Sequence, residues 1–149
     1  MNQFKIISKS PAETKQIGTK LGRILKPGDV VGLIGNLGAG KTVMAKGIAE
    51  AFGINEKNII SPSFTIIAEY DTNPPLIHID LYRIEREDEF YDLGIESFIG
   101  NDNITVIEWA EKAKAYLPDD IIKIYIHYLD ENNREIILEG INEKDWDNR

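Results

Sequence analysis

The sequence predicts an α/β domain of three layers, a central mixed sheet flanked by helices, and three observations carry that prediction. An apolar run rich in β-branched residues, Val30-Val31-Gly32-Leu33-Ile34, leads through a glycine-rich stretch into a segment with helical spacing. Further short apolar runs, Ile77-His78-Ile79 and Ile104-Thr105-Val106-Ile107, are separated by helix-like segments, so helices bracket the central strands. Two pairs of strand-like runs are joined by turn-forming residues, which makes part of the sheet antiparallel. With 149 residues, 42% of them apolar, there is material for one core. We expect a single domain over residues 1–141 and a polar, frayed tail over 142–149.

Taken in order, residues 4–7 read as a short edge strand. Ser10-Pro11-Ala12-Glu13 is a helix start with Ser10 as N-cap, Pro11 in the first position and Glu13 closing a capping box. Ile17, Leu21, Ile24 and Leu25 form the expected buried stripe of that helix, which Pro27-Gly28-Asp29 ends. After the strand at 30–34, Val43, Met44, Ile48, Ala49 and Phe52 recur at helical spacing up to Gly53. Residues 66–70 and 76–80 are strands joined by the turn Asp71-Thr72-Asn73-Pro74-Pro75 and should pair antiparallel. The stretch 85–99 suits one or two short helices broken at Gly94 and Gly100. A strand at 104–107, a short helix at 111–116 stopped by Leu117-Pro118, and strands at 121–129 and 135–138 joined through Asp130-Glu131-Asn132-Asn133 complete the chain.

Gly35-Asn36-Leu37-Gly38-Ala39-Gly40-Lys41-Thr42 is a complete phosphate-binding loop, G-x-x-x-x-G-K-[ST], between strand and helix. Its glycines let successive backbone N–H groups converge on one anion, and the positive end of the following helix points at the same place. Lys41 should reach the β- and γ-phosphates and Thr42 should ligate Mg²⁺, with Asn36, Leu37, Gly38, Ala39, Gly40 and Val43 lining the nucleotide. The domain is therefore expected to be P-loop NTPase-like.

Such a site needs an acidic residue at the end of a neighbouring strand, and both Asp80 and Glu108 qualify. The pattern leaves open which one touches the ion; the usual strand-terminal Asp favours Asp80. Ser61, Ser63 and Thr65 stand where nucleotide-responsive loops offer a hydroxyl, and Arg83 follows Asp80 closely enough to neutralise a phosphate or to pair with Glu85 or Glu87. His78 alternates with Ile77 and Ile79, which favours a structural role over that of a general base. Trp109, directly after Glu108, brings an aromatic face to the site.

Composition narrows the function further. A net charge of −8 argues against unaided binding to nucleic acid, and the absence of cysteine excludes disulfides and thiolate metal sites. No apolar run is long enough to span a bilayer, so the chain reads as a cytoplasmic protein that does not enter membranes. No Asn-Lys-x-Asp motif is present to read guanine, and no Arg-rich lid segment, which leaves ATP as the expected nucleotide.

The P-loop, Ser61-Pro62-Ser63-Phe64-Thr65, His78-Ile79-Asp80-Leu81-Tyr82-Arg83, Asp92-Leu93-Gly94-Ile95 and Ile107-Glu108-Trp109, in this order, resemble the TsaE (YjeE) family, small bacterial ATPases of tRNA threonylcarbamoyladenosine synthesis. The resemblance covers nearly the whole chain. It implies that Lys41 holds the phosphates, that Thr42 and Glu108 ligate or organise Mg²⁺, that Asp80 completes the hydrolytic site, and that Trp109 lies beside the nucleotide. It also implies that residues 61–65 act as a switch. The partners it implies are TsaD and TsaB as a heterocomplex, with tRNA reached only through them. Val43 stands where many relatives carry a second Thr, and Asn36 where many carry Asp. From the P-loop alone, a small-molecule kinase or a nucleotide-gated binding module would be the alternatives.

Overall fold

The structure, a computed structural model, describes residues 3–36, 38–59 and 67–148. Its elements are β1 (Gln3–Ser8), α1 (Pro11–Ile24), β2 (Val30–Ile34), α2 (Lys41–Ala51), β3 (Ile67–Tyr70), β4 (Leu76–Asp80), α3 (Asp88–Asp92), β5 (Ile104–Glu108), β6 (Ile122–Tyr128), β7 (Arg134–Glu139) and α4 (Glu143–Asp147). Three short 3₁₀ segments, Glu56–Asn58, Ile95–Phe98 and Ala110–Tyr116, lie between them.

Strand order is β1-β7-β6-β2-β5-β4-β3, seven strands in one sheet. The four central strands are parallel, because β2 pairs with β5 and β6, and β4 with β5. The outer pairings β1–β7, β6–β7 and β3–β4 are antiparallel, the last two as hairpins. This is the mixed sheet expected, with β1 at one edge.

Alternation along each strand sorts side chains into two layers. Val31, Leu33, Ile104, Val106, Ile124 and Ile136 face α1 and α2, where Leu21, Met44 and Ile48 fill the first core. Ile77, Ile79 and Ile107 face the other way, against Phe90 of α3, Ile95 and Ala113. Every residue of β4 and β5 is buried, including the polar ones, which is why these strands read as unbroken apolar runs. One face of β1, β6 and β7 packs on the first core. On the other, cross-strand pairs Lys5–Glu135 (3.7 Å) and Lys123–Glu139 (3.9 Å) face solvent.

Three expectations need correction. In α1 only Leu21 of the anticipated stripe is fully buried; Ile17, Ile24 and Leu25 are half-buried, and Gly18, Gly22 and Thr14 take the inner positions. The apolar period was right, but the helix meets α2 through its glycines, a contact that hydrophobicity does not report. The capping box is shifted: Ser10 Oγ accepts from Glu13 N–H at 3.1 Å, while Glu13 Oε2 takes the N–H of Lys9, not Ser10, at 2.6 Å. The final segment is not frayed. Asn142 caps α4 by accepting from Lys144 N–H at 2.9 Å. Trp146 is buried in the first core, its ring 5.9 Å from that of Phe4 and 4.6 Å beneath the Lys20 ammonium. Burying one such ring contributes about 3 kcal/mol, enough to order one helical turn. Among the described residues no helix is long and apolar enough to cross a membrane.

Candidate nucleotide and metal site

The P-loop leaves the end of β2 and wraps onto the first turn of α2. Gly38 (φ 80°) and Gly40 (φ 114°) both adopt left-handed backbone, which a side chain would resist, and Gly40 is the N-cap of α2. No side chain caps that helix end, so its first N–H groups stay directed at the loop interior, the geometry that holds an anion. Leu37 and Ser61, Ser63 and Thr65 lie outside the described residues.

Lys41 opens α2 and is only 4% exposed. Its ammonium donates to the carbonyls of Gly35 and Asn36, the latter at 2.9 Å, and sits 3.9 Å above the Trp109 ring. Burial lowers its pKa, against the opposing pull of Glu111, Glu108 and Asp80. Thr42, exposed on the same turn, donates its hydroxyl to Glu108 Oε1 at 2.9 Å. Val43 is half-buried and, with Thr14, Gly40 and Arg134, lines a cavity of about 100 Å³ beside the loop.

The register of β4 on β5 sets Asp80 opposite Glu108, and that of β5 on β2 sets Glu108 opposite Leu33. Both carboxylates therefore stand at the carboxyl edge of the sheet next to the P-loop, as the sequence implied. Their partners differ. Glu108 is held on both oxygens, by Thr42 on Oε1 and by His78 Nε2 on Oε2 at 2.6 Å, whereas Asp80 Oδ1 accepts from the Tyr82 backbone N–H at 2.9 Å. His78 faces away from Ile77 and Ile79, as its alternation suggested, and that face is the side of the sheet where the site lies. Arg83 is exposed on the turn after Asp80. That turn is tied down by Lys112, whose ammonium donates to the carbonyls of Tyr82 (2.6 Å) and Ile84 (3.1 Å).

Trp109 is the one non-glycine with positive φ among the described residues (φ 61°). For so bulky a residue this costs on the order of 1–3 kcal/mol, and such strain concentrates at functional sites. It places the ring between the Lys41 ammonium and Tyr82, whose ring centroid is 5.3 Å away.

Thr42 and Glu108 offer a hydroxyl and a carboxylate, hard oxygen donors that suit Mg²⁺. No group of three His, Cys, Asp or Glu side chains able to hold a metal exists among the described residues. Mg²⁺ takes one or two carboxylates and completes its shell with water and substrate phosphates. Arg134 escaped sequence reasoning: its Nε donates to the P-loop carbonyl of Ala39 at 2.9 Å across 95 residues of chain, and nothing local marks it.

Burial raises the Asp80 pKa above 3.8, and Glu108 adds to this against the Tyr82 N–H, His78 and Lys41. An acid whose folded pKa is raised contributes its stability fully at low pH and loses it as pH rises through the folded value. Ionised Asp80 therefore destabilises the fold at neutral pH. Asp80→Asn, which keeps the acceptor for Tyr82, should raise stability at pH 7 by about 1 kcal/mol, roughly 2–4 °C in Tm. The gain should vanish below pH 4 in thermal melts; an equal gain at all pH would contradict the assignment.

Known proteins resemble this chain in both sequence and fold. A family model described as "Threonylcarbamoyl adenosine biosynthesis protein TsaE" matches residues 8–136. The tRNA threonylcarbamoyladenosine biosynthesis protein TsaE of Treponema pallidum (strain Nichols) is 39% identical over 135 residues, spanning 91% of this chain and 99% of that one. Its namesake from Bacillus subtilis (strain 168) is 40% identical over 142 residues, 95% of this chain and 88% of that one. A solved structure described as "Crystal structure of Bacillus subtilus YdiB" superposes with a TM-score of 0.80 at 35% identity, over 96% of this chain and 88% of that one. Matched from the end of β1 to the middle of β7, and at about 40% identity to relatives along nearly its full length, the chain belongs to the TsaE family.

Proposed function

We propose that the chain is a Mg²⁺-dependent ATPase of the cytoplasmic machinery that makes N6-threonylcarbamoyladenosine in tRNA, and that it drives turnover of a TsaD–TsaB complex without transferring the threonylcarbamoyl group itself. The observation that carries this reading is the 2.9 Å contact of Thr42 with Glu108, which joins the P-loop hydroxyl to a strand-end carboxylate 66 residues away. Mg²⁺ bound there would neutralise charge developing on the phosphate oxygens. Lys41 exchanges its contacts with the Gly35 and Asn36 carbonyls for the β- and γ-phosphates, Asp80 orients the attacking water, and Trp109 walls the site. The names of the relatives supply the pathway, and the net charge of −8 supports the view that partners hold the tRNA.

The test is a reconstitution of tRNA modification from TsaD, TsaB, this chain and the small substrates. Modified tRNA should exceed the amount of TsaD several-fold when the chain and ATP are present and stop near one equivalent when the chain is omitted. Equal yields in both would refute the proposal.

A further inference from the structure

We infer that His78 is a positioning residue that fixes the plane of the Glu108 carboxylate for Mg²⁺, an inference that rests on the ATPase reading above. Along β4, Leu76, His78 and Asp80 share the face turned toward α2, and the β4–β5 register sets His78 beside Val106, two residue pairs deeper in the sheet than Asp80 and Glu108. From there its ring reaches forward to Glu108. Nε2 and Oε2 are 2.6 Å apart, with His78 only 4% and Glu108 only 2% exposed. A carboxylate has no proton to give, so Nε2–H donates.

The consequence lies in how a glutamate is held. Its terminal torsion is broad, so Glu108 alone would sample a wide range of carboxylate planes. Here Oε2 is pinned from behind by His78, and Oε1 is presented to Thr42, on the P-loop side. With Oε2 occupied, Oε1 is the oxygen left for the metal or its water. His78 lies too deep to meet a phosphate, so it acts on the metal through Glu108, the carboxylate it holds. Groups that orient a metal-binding side chain in this way change metal affinity by roughly ten- to a hundredfold when removed.

Three variants test this by reach. In His78→Gln the side-chain amide can place an N–H where Nε2 was; in His78→Asn the amide is too short to do so; His78→Leu removes the donor. The readout is calorimetric titration of ADP with and without Mg²⁺, together with the separate kcat and KM of ATP hydrolysis. All three should bind metal-free ADP within about twofold of wild type, because Lys41 and the P-loop are intact. The Asn and Leu variants should lose about ten- to a hundredfold in Mg²⁺ affinity within the ADP complex, with kcat falling more than KM rises, and Gln should restore most of it. If the Leu variant does not fold, the contrast between Gln and Asn decides. Wild-type Mg²⁺ affinity in Asn, or a Gln variant as impaired as Asn, overturns the role of His78 alone. A wild-type chain that binds ADP with no response to Mg²⁺ overturns the ATPase reading and this inference with it.

Discussion

Lys41→Ala should lower ATP hydrolysis by about a hundred- to a thousandfold, and Glu108→Ala by a similar factor, yet for different reasons that binding measurements separate. Lys41 is the buried cation of the P-loop, held by the Gly35 and Asn36 carbonyls and the Trp109 face. Desolvation already works against its charge, so an arriving phosphate offers it a better partner than two neutral carbonyls. Removing it should weaken nucleotide binding with or without Mg²⁺. Glu108 makes no contact that a nucleotide needs in the absence of metal, so Glu108→Ala should leave metal-free ADP affinity near that of wild type and lose the gain from Mg²⁺. Phosphate release under saturating ATP, paired with ADP titrations, reads both effects. Wild-type hydrolysis by Glu108→Ala would remove that residue from the metal site and leave Asp80 as the candidate.

The parts of this site that were legible in the sequence are those whose chemistry is local. Eight consecutive residues state the P-loop, and their place at the ends of short apolar runs marks Asp80 and Glu108 as edge carboxylates. The pairing of Thr42 with Glu108, and of His78 with the same carboxylate, depends on β4, β5 and β2 being neighbours, which only the sheet order β6-β2-β5-β4 establishes. Alternation rightly set His78 apart from Ile77 and Ile79, but nothing local says that the opposite face is the side of the P-loop. Arg134 belongs to the same class: a basic residue opening an outer strand has no signature until β6 and β7 bring it to Ala39. The left-handed backbone of Trp109 was hidden for another reason, since propensity argues against that conformation and tertiary contacts impose it. In the final segment, seven polar residues outweighed one Trp in any compositional reading, although that Trp is what orders the helix.

The largest effect on stability is expected from a residue that touches no ligand. Helix propensity alone says that Gly47→Ala, inside α2, should stabilise by about 1 kcal/mol. The surroundings say otherwise, because a Cβ on Gly47 would stand 2.1 Å from the Lys15 carbonyl oxygen and 3.0 Å from Thr19 N, both backbone of α1. Backbone cannot rotate away as a side-chain tip can, so the two helices must part by more than an ångström. That separation would also break the bond from Thr19 Oγ1 to the Gly47 carbonyl, now 3.1 Å, and open the contact at Gly18, where a Cβ would lie 2.4 Å from Met44 O. Overpacking of this kind costs roughly 3 kcal/mol or more, which overrides the propensity gain and lowers Tm by about 6–12 °C in a chain of this size. Gly53→Ala is the control: nothing lies within 4 Å of its Cβ, and only its φ of 82° resists, so it should cost about 1 kcal/mol. Because α2 begins at Lys41 and Thr42, the displacement carries to the nucleotide site. The folded fraction of Gly47→Ala should therefore bind ADP more weakly than Gly53→Ala does, and an equally stable, equally binding Gly47→Ala would show that α1 and α2 can separate without consequence.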